Sequence, residues 1–180
     1  MTESEIRAAV YARLDALGIA YRVARHAPAA HIDDCAEIGR RLGATVCKNY
    51  FLTTKSHRVY CLCVARPEVR LRTSDLSRQA GTPRLSFAGE DDMVSRLGTR
   101  PGSVSPMGLL FDPDGCVRLL VDEGLRGFGD LAFHPCDNTE TLAMSEDDFF
   151  NRFLPATGHV PQFVTFSGRP FEDTTRFDIL

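Results

Sequence analysis

Lysine is nearly absent from this chain. Of 21 basic residues in 180, only Lys48 and Lys55 are lysines, so arginine meets almost every need for positive charge. The two cations are not interchangeable: arginine presents a planar fork, lysine a compact ammonium. Lys48 sits inside an otherwise apolar, strand-like run, Cys47-Lys48-Asn49-Tyr50-Phe51-Leu52, where an unpaired buried charge is costly. That segment alone leaves two readings open. Either the lysine snorkels out of a strand end, or a Lys-Asn pair is kept for an anionic or polar ligand.

Other absences narrow the class. No run approaches the ~18 apolar residues of a membrane span, and no membrane partner is expected. The start, Met1-Thr2-Glu3-Ser4-Glu5, is acidic and lacks a hydrophobic signal core, so a cytoplasmic location is expected. Cys35, Cys47, Cys61, Cys63, Cys116 and Cys136 show no C-x-x-C spacing. They read as reduced thiols, with no disulfide framework and no metal expected. Cys61 and Cys63 would share one strand face as small core residues.

A net charge of −3 argues against a protein that coats long nucleic acid, and DNA is not an expected partner. The charge is uneven, however. Residues 1–100 hold 16 basic against 11 acidic residues, and residues 101–180 hold 5 against 13. A modest basic face on an acidic body suits contact with a few phosphates, though the same counts also describe arginines scattered over a solvated surface.

The length and the even composition predict one domain over residues 1–167, with a tail at 168–180. Helices are predicted over Ser4–Leu17 (Ser4 as N-cap), Asp33–Leu42, from Thr73-Ser74-Asp75 to near Gly81, over Gly89–Leu97, and from a Ser145 cap through Leu154. Strands are predicted at Ile19–Val23, Val46–Thr53, Val59–Ala65, Val69–Leu71, Pro83–Phe87, Met107–Phe111, Val117–Val121, Leu131–His134, Thr139–Met144 and Val160–Phe166. This irregular interleaving is not a βαβ series. It predicts a single α/β domain whose mixed, mostly antiparallel sheet is barrel-like and surrounded by helices.

Two further segments carry chemistry. Gly102-Ser103-Val104-Ser105-Pro106-Met107-Gly108 is a loop whose glycines permit close backbone approach and whose backbone groups can serve a ligand. It lacks a P-loop ending and dinucleotide-fingerprint spacing. Phe133-His134-Pro135-Cys136-Asp137-Asn138-Thr139 holds a histidine between an aromatic ring and a proline, where it could wall a pocket or sit in a surface turn. No catalytic triad order and no H-E-x-x-H motif is present. From the residues alone, a small polar pocket follows, but not its substrate.

Taken in order, Lys48-Asn49-Tyr50-Phe51-Leu52, Arg84-Leu85-Ser86-Phe87-Ala88, Gly102–Leu109 and Phe133-His134-Pro135 with Asn138–Thr141 resemble the YbaK/ProX superfamily of aminoacyl-tRNA editing domains. Within it they are most similar to the free-standing prolyl-tRNA editing proteins, which hydrolyse Ala-tRNA(Pro). The resemblance runs from about Ile6 to Phe166. It implies a deacylase that binds the acceptor end of tRNA(Pro), has prolyl-tRNA synthetase as a possible partner and needs no cofactor. It also implies catalytic roles for Lys48, Gly102 and Pro106. Lys48 would anchor the terminal phosphate or adenosine, and the Gly102–Pro106 loop would hold the ester and water through backbone groups. Asn49, Phe51, Ser103, Val104, Ser105, His134 and Asn138 would complete the substrate-binding set, with His134 bordering a pocket for a small side chain.

Cys47 and His31 replace threonines usual in relatives, and Met107 replaces a common phenylalanine; all three bear on the amino-acid pocket. Two alternatives therefore accompany the Ala-tRNA(Pro) expectation. One is another small aminoacyl group, such as that of Cys-tRNA(Pro). The other is a non-catalytic module that binds tRNA ends or small ligands.

Overall fold

The computed structural model describes residues 1–28 and 32–166. Helix α1 (Glu3–Ala16) starts two residues earlier than a Ser4 cap suggests, because Thr2 closes a capping box. The Thr2 hydroxyl accepts the Glu5 backbone N–H, and the Glu5 carboxylate accepts the Thr2 N–H at 2.7 Å. Ile6, Val10 and Leu14 form its buried stripe. The other long helices are α2 (Ile32–Leu42), α3 (Thr73–Ala80) and α4 (Glu90–Leu97). The last helix is predicted as one piece but comprises α5 (Glu146–Asp148), a π-helical turn over Phe149–Phe153 and α6 (Leu154–Thr157).

The described residues hold nine strands, β1 (Tyr21–Arg25), β2 (Thr45–Val46), β3 (Lys48–Thr54), β4 (Tyr60–Ala65), β5 (Leu85–Phe87), β6 (Val117–Asp122), β7 (Leu131–Phe133), β8 (Glu140–Met144) and β9 (Gln162–Val164). They form a four-stranded sheet in the order β1-β8-β7-β2 and a five-stranded sheet in the order β5-β3-β4-β6-β9. Antiparallel pairs outnumber parallel ones, as expected, but the barrel-like closure is corrected. Both sheets are open, with edges at β1 and β2 and at β5 and β9. The chain passes between them at Cys47, whose N–H still bonds the Ala132 carbonyl of the first sheet at 3.1 Å before Lys48 enters the second.

Two other predicted strands are corrected. Met107–Phe111 belongs to a 3₁₀ turn, Pro106–Phe111, in which proline occupies the first position and the Ser105 hydroxyl accepts the Met107 N–H at 3.1 Å. Gly108 lies so close to α4 that an added Cβ would come 2.8 Å from the Leu97 carbonyl oxygen. Val69–Leu71 forms no strand and instead lies in the loop from β4 to α3.

The facing sides of the two sheets enclose the main core, which includes Phe51, Leu62, Val64, Leu119, Val121, Phe133, Leu142 and Phe149. On the far side of the five-stranded sheet, α3 packs Leu76 and Ala80 against Leu52, Cys61, Cys63 and Ala65. Cys61 and Cys63 thus do share a face. On the far side of the four-stranded sheet, α2 packs Ile38 and Leu42 against Ala24, Ala132 and Ala143.

Candidate active site

Lys48 and Asn49 stand at the crossing between the sheets. Opposite residues of an antiparallel ladder share a face, and Lys48 pairs with Ala65 while Asn49 pairs with Val64. Ala65 belongs to the cluster under α3 and Val64 to the main core. Lys48 is therefore aligned with Tyr50 and Leu52 on the α3 side, and Asn49 with Phe51 on the core side.

The Lys48 side chain is half-buried. Loss of solvent holds its ammonium below the ordinary lysine value, opposed first by the Glu68 carboxylate and then by Cys35. Glu68 leaves β4 in the loop beside Lys48, and Cys35 comes from α2. Neither belongs to the set derived from sequence. Glu68 had a local signal, as the only acid in the arginine-rich stretch 66–72. Cys35 had none, because only the fold brings α2 to this strand end.

Asn49 donates through Nδ2 to the Cys47 carbonyl at 3.3 Å. Its Oδ1 is buried and, among the described residues, accepts no hydrogen bond. Leaving such an acceptor unsatisfied costs ~1–3 kcal/mol, a cost that a donor from a bound molecule would remove. Phe51 is placed differently. It is 1% exposed and stacked on Tyr60, with ring centroids 5.8 Å apart, as a core residue.

In the loop, Gly102 is exposed and adopts φ +84°, a left-handed value that favours glycine. A Cβ added there would meet the Asn138 amide nitrogen at 3.3 Å, so the loop and the turn after β7 touch at this point. Ser103, Ser105 and Pro106 are buried, and Val104 packs partly against the main core. Ser105 is engaged as the cap of the 3₁₀ turn.

His134 follows the end of β7. Its Nδ1 lies 2.8 Å from the Glu140 carbonyl, which can only accept, so Nδ1 carries a proton. Burial lowers its pKa below the ordinary histidine value, more than its bond to Glu140 and the charge of Asp137 raise it. The neutral ring then keeps a lone pair on Nε2. The Thr141 hydroxyl oxygen lies 3.3 Å from the same Nδ1, as a second acceptor, and 2.8 Å from His26 Nε2. His26 Nδ1 is itself 2.8 Å from the Ala27 carbonyl. The Thr141 hydroxyl thus links the His134 ring to the His26 ring. This link from His26 across β1 and β8 is visible only in the fold.

Asn138 sits in a turn held by Asp137, whose carboxylate accepts the Thr139 N–H at 2.9 Å, the Thr139 hydroxyl at 2.6 Å and Arg7 at 2.6 Å. The parallel pairing Thr45↔Leu131 and Val46↔Ala132 carries Lys48 and His134 off the same end of β2 and β7. Two surface depressions lie elsewhere, one lined by Met1, Thr2 and Arg100 and the other by Val117, His159 and Gln162. His31 lies outside the described residues, as does the predicted tail at 168–180.

The comparisons concern the family and the fold. Residues 26–151 match the model of the aminoacyl-tRNA editing domain. The chain is 32% identical over 157 residues to the prolyl-tRNA editing protein ProX of Acetoanaerobium sticklandii, covering 87% of this chain and 95% of that protein. It is 32% identical over 170 residues to prolyl-tRNA synthetase associated domain-containing protein 1 of Mus musculus, covering 92% and 99% of the two chains. A solved structure described as a candidate trans-editing enzyme for prolyl tRNA synthetase superposes with a TM-score of 0.64 at 17% identity, covering 89% of this chain and 96% of that one. At that identity the likeness speaks for the fold alone.

Proposed function

This chain belongs to the aminoacyl-tRNA editing domain family, and from that premise we propose that it is a trans-editing deacylase whose substrate is Ala-tRNA(Pro). The observation that carries the site assignment is the pair at the sheet crossing. A half-buried ammonium on Lys48 is followed in the chain, on the opposite face of β3, by a buried acceptor on Asn49 that has no donor among the described residues. An aminoacyl-tRNA end offers the complementary chemistry, with phosphate for the cation and an α-ammonium or hydroxyl for the amide oxygen.

The reaction asks little of the protein. Water adds to the carbonyl carbon, the bond to the ribose oxygen breaks, and that oxygen takes up the proton. The ester is already activated, so positioning and polarisation supply much of the acceleration. In this reading Lys48 anchors the tRNA end, the backbone around Gly102 and Pro106 lies against the ester, and His134 Nε2 accepts a hydrogen bond from the substrate. A pocket that admits alanine and excludes the bulkier proline ring reverses the size test of a synthetase, which gains only ~1–3 kcal/mol per methylene. Cys47 and Met107, both buried in the main core, lie near enough in sequence to Lys48 and to the loop to shape that pocket.

A deacylation panel tests the proposal. Purified protein should shorten the lifetime of Ala-tRNA(Pro) far below that in buffer and spare Pro-tRNA(Pro). Faster cleavage of Cys-tRNA(Pro) or seryl esters would move the specificity. Tight binding to tRNA with no hydrolysis would replace the enzyme by a binding module.

A further inference from the structure

On the outer face of the five-stranded sheet, Lys48 is aligned with a half-buried aromatic, Tyr50, and an exposed one, Phe87. Lys48 and Tyr50 are two residues apart on β3 and so face the same side. Phe87 pairs with Leu52 on the edge strand β5 and joins that face. Its ring meets that of Tyr50 edge-on, with centroids 6.3 Å apart and planes at 65°, yet the residue remains 55% exposed. α3 covers Leu52 and Leu85 but leaves Phe87 in solvent. Exposed arginines precede β5 in the chain, and the acids Glu90, Asp91 and Asp92 open the helix that follows it. Arg70 and Arg72 are exposed on the loop that leaves β4 beside Lys48, and Arg84 is exposed just before β5. Residues 66–84 hold five arginines against Glu68 and Asp75.

We propose that Phe87, braced by Tyr50 and flanked by Lys48, is a stacking platform for an unpaired nucleotide just upstream of the terminal adenosine of the tRNA. Every base has a π-face, so an exposed ring beside cations holds a single strand without reading its sequence. The ladder sets the order of contacts: Lys48 at the strand end takes the phosphate nearest the ester, and Phe87, farther along the sheet, takes the preceding base. Charge selects this occupant, because an aromatic ring on the same sheet face as the Lys48 ammonium, with exposed arginines at 70 and 72 beside that strand end, suits a polyanion better than an apolar protein face. The inference rests on the deacylase reading for the identity of the strand, but its test does not need hydrolysis.

The sequence contains no tryptophan, so Phe87→Trp introduces a single reporter at the platform. Its emission should be quenched saturably by an unacylated RNA oligonucleotide ending in CCA, less at high salt, and less again when Lys48→Ala is added. Phe87→Ala, a substitution at an exposed site, should raise KM for Ala-tRNA(Pro) about tenfold with kcat kept. It should leave hydrolysis of 3′-alanyl-adenosine, which lacks the upstream nucleotide, unchanged. Unchanged tryptophan emission up to millimolar oligonucleotide, or an unchanged KM, overturns the platform. Emission that shifts with protein concentration alone also overturns it, in favour of β5 pairing between copies of the chain. Quenching in a protein that leaves Ala-tRNA(Pro) intact would refute the deacylase reading while supporting the platform.

Discussion

Lys48 and Asn49 are neighbours in the chain but lie on opposite faces of β3, the lysine with Ala65 under α3 and the asparagine with Val64 in the main core. A substrate that uses both must wrap the strand end where the chain passes from one sheet to the other. There β3 has just begun, and Cys47 is still bonded to the first sheet. The arrangement separates an anionic contact on one side from an acyl contact on the other, and the two side chains should therefore fail in different ways.

Lys48→Ala should lower deacylation of Ala-tRNA(Pro) by two orders of magnitude or more while the circular dichroism spectrum and melting temperature stay close to wild type. The ammonium is only half-buried, so its removal leaves no large cavity. Lys48→Arg should recover only part of the rate, because the planar fork does not reproduce a compact ammonium. Wild-type rates in the alanine variant would remove Lys48 from the site.

Asn49→Ala should separate activity from stability. The substitution gives up one long hydrogen bond to the Cys47 carbonyl at 3.3 Å but also removes a buried oxygen that lacks a donor. These effects are of similar size, each ~1 kcal/mol, so the melting temperature should hold or rise slightly. Activity should nevertheless fall at least tenfold. A variant that melts several degrees lower with unchanged kcat/KM would make Asn49 a structural residue.

Gly102 requires its missing side chain twice over. Any Cβ at φ +84° costs ~1–2 kcal/mol, and here it would also press on Asn138 at 3.3 Å. Gly102→Val should cut deacylation more strongly than it lowers stability, because the exposed loop can shift while the backbone surface offered to the ester is lost. Gly102→Ala combined with Asn138→Ala relieves the contact but not the dihedral strain, and activity should stay low. Full rescue in that double variant would confine the glycine's role to avoiding Asn138.

Much of this architecture was legible in local signals, and the reasons for the exceptions are physical. α4 follows from three acids in its first turn and a left-handed Gly98 at its end, both readable from the residues in order. Met107–Phe111 has a strand-like composition, but Ser105 and Pro106 set the backbone locally into a 3₁₀ turn. The open sheets depend on pairings between distant segments, such as Lys48 with Ala65 and Cys47 with Ala132, which composition does not encode. In the site, residue types were legible and their neighbours were not. Lys48, Gly102 and His134 are unusual in place, whereas Glu68, Cys35 and His26 become relevant only once β4, α2 and β1 are folded beside them. Phe51 shows the reverse: next to Lys48 and Asn49 in sequence, it is turned by strand alternation into the core.

His134 should confer a pH dependence of its own. Burial places its folded-state pKa below the ordinary value of 6.5, so between those two values the unfolded chain binds more protons than the folded one. Stability therefore rises with pH through that interval, and the contribution of a neutral His134 is lost as pH falls below about 6.5. The same protonation converts Nε2 from acceptor to donor and removes the lone pair assigned to the substrate. Melting temperature and kcat/KM should thus both decline on the acidic side. His134→Gln retains a polar side chain that does not titrate in this range, and it should flatten the acid limb of the stability profile while lowering activity at neutral pH. Thr141→Val, which removes the hydroxyl between His134 and His26, should shift the acid limb of the activity profile without abolishing it. An unchanged stability slope below pH 6.5 in His134→Gln would show that other groups govern the acid response.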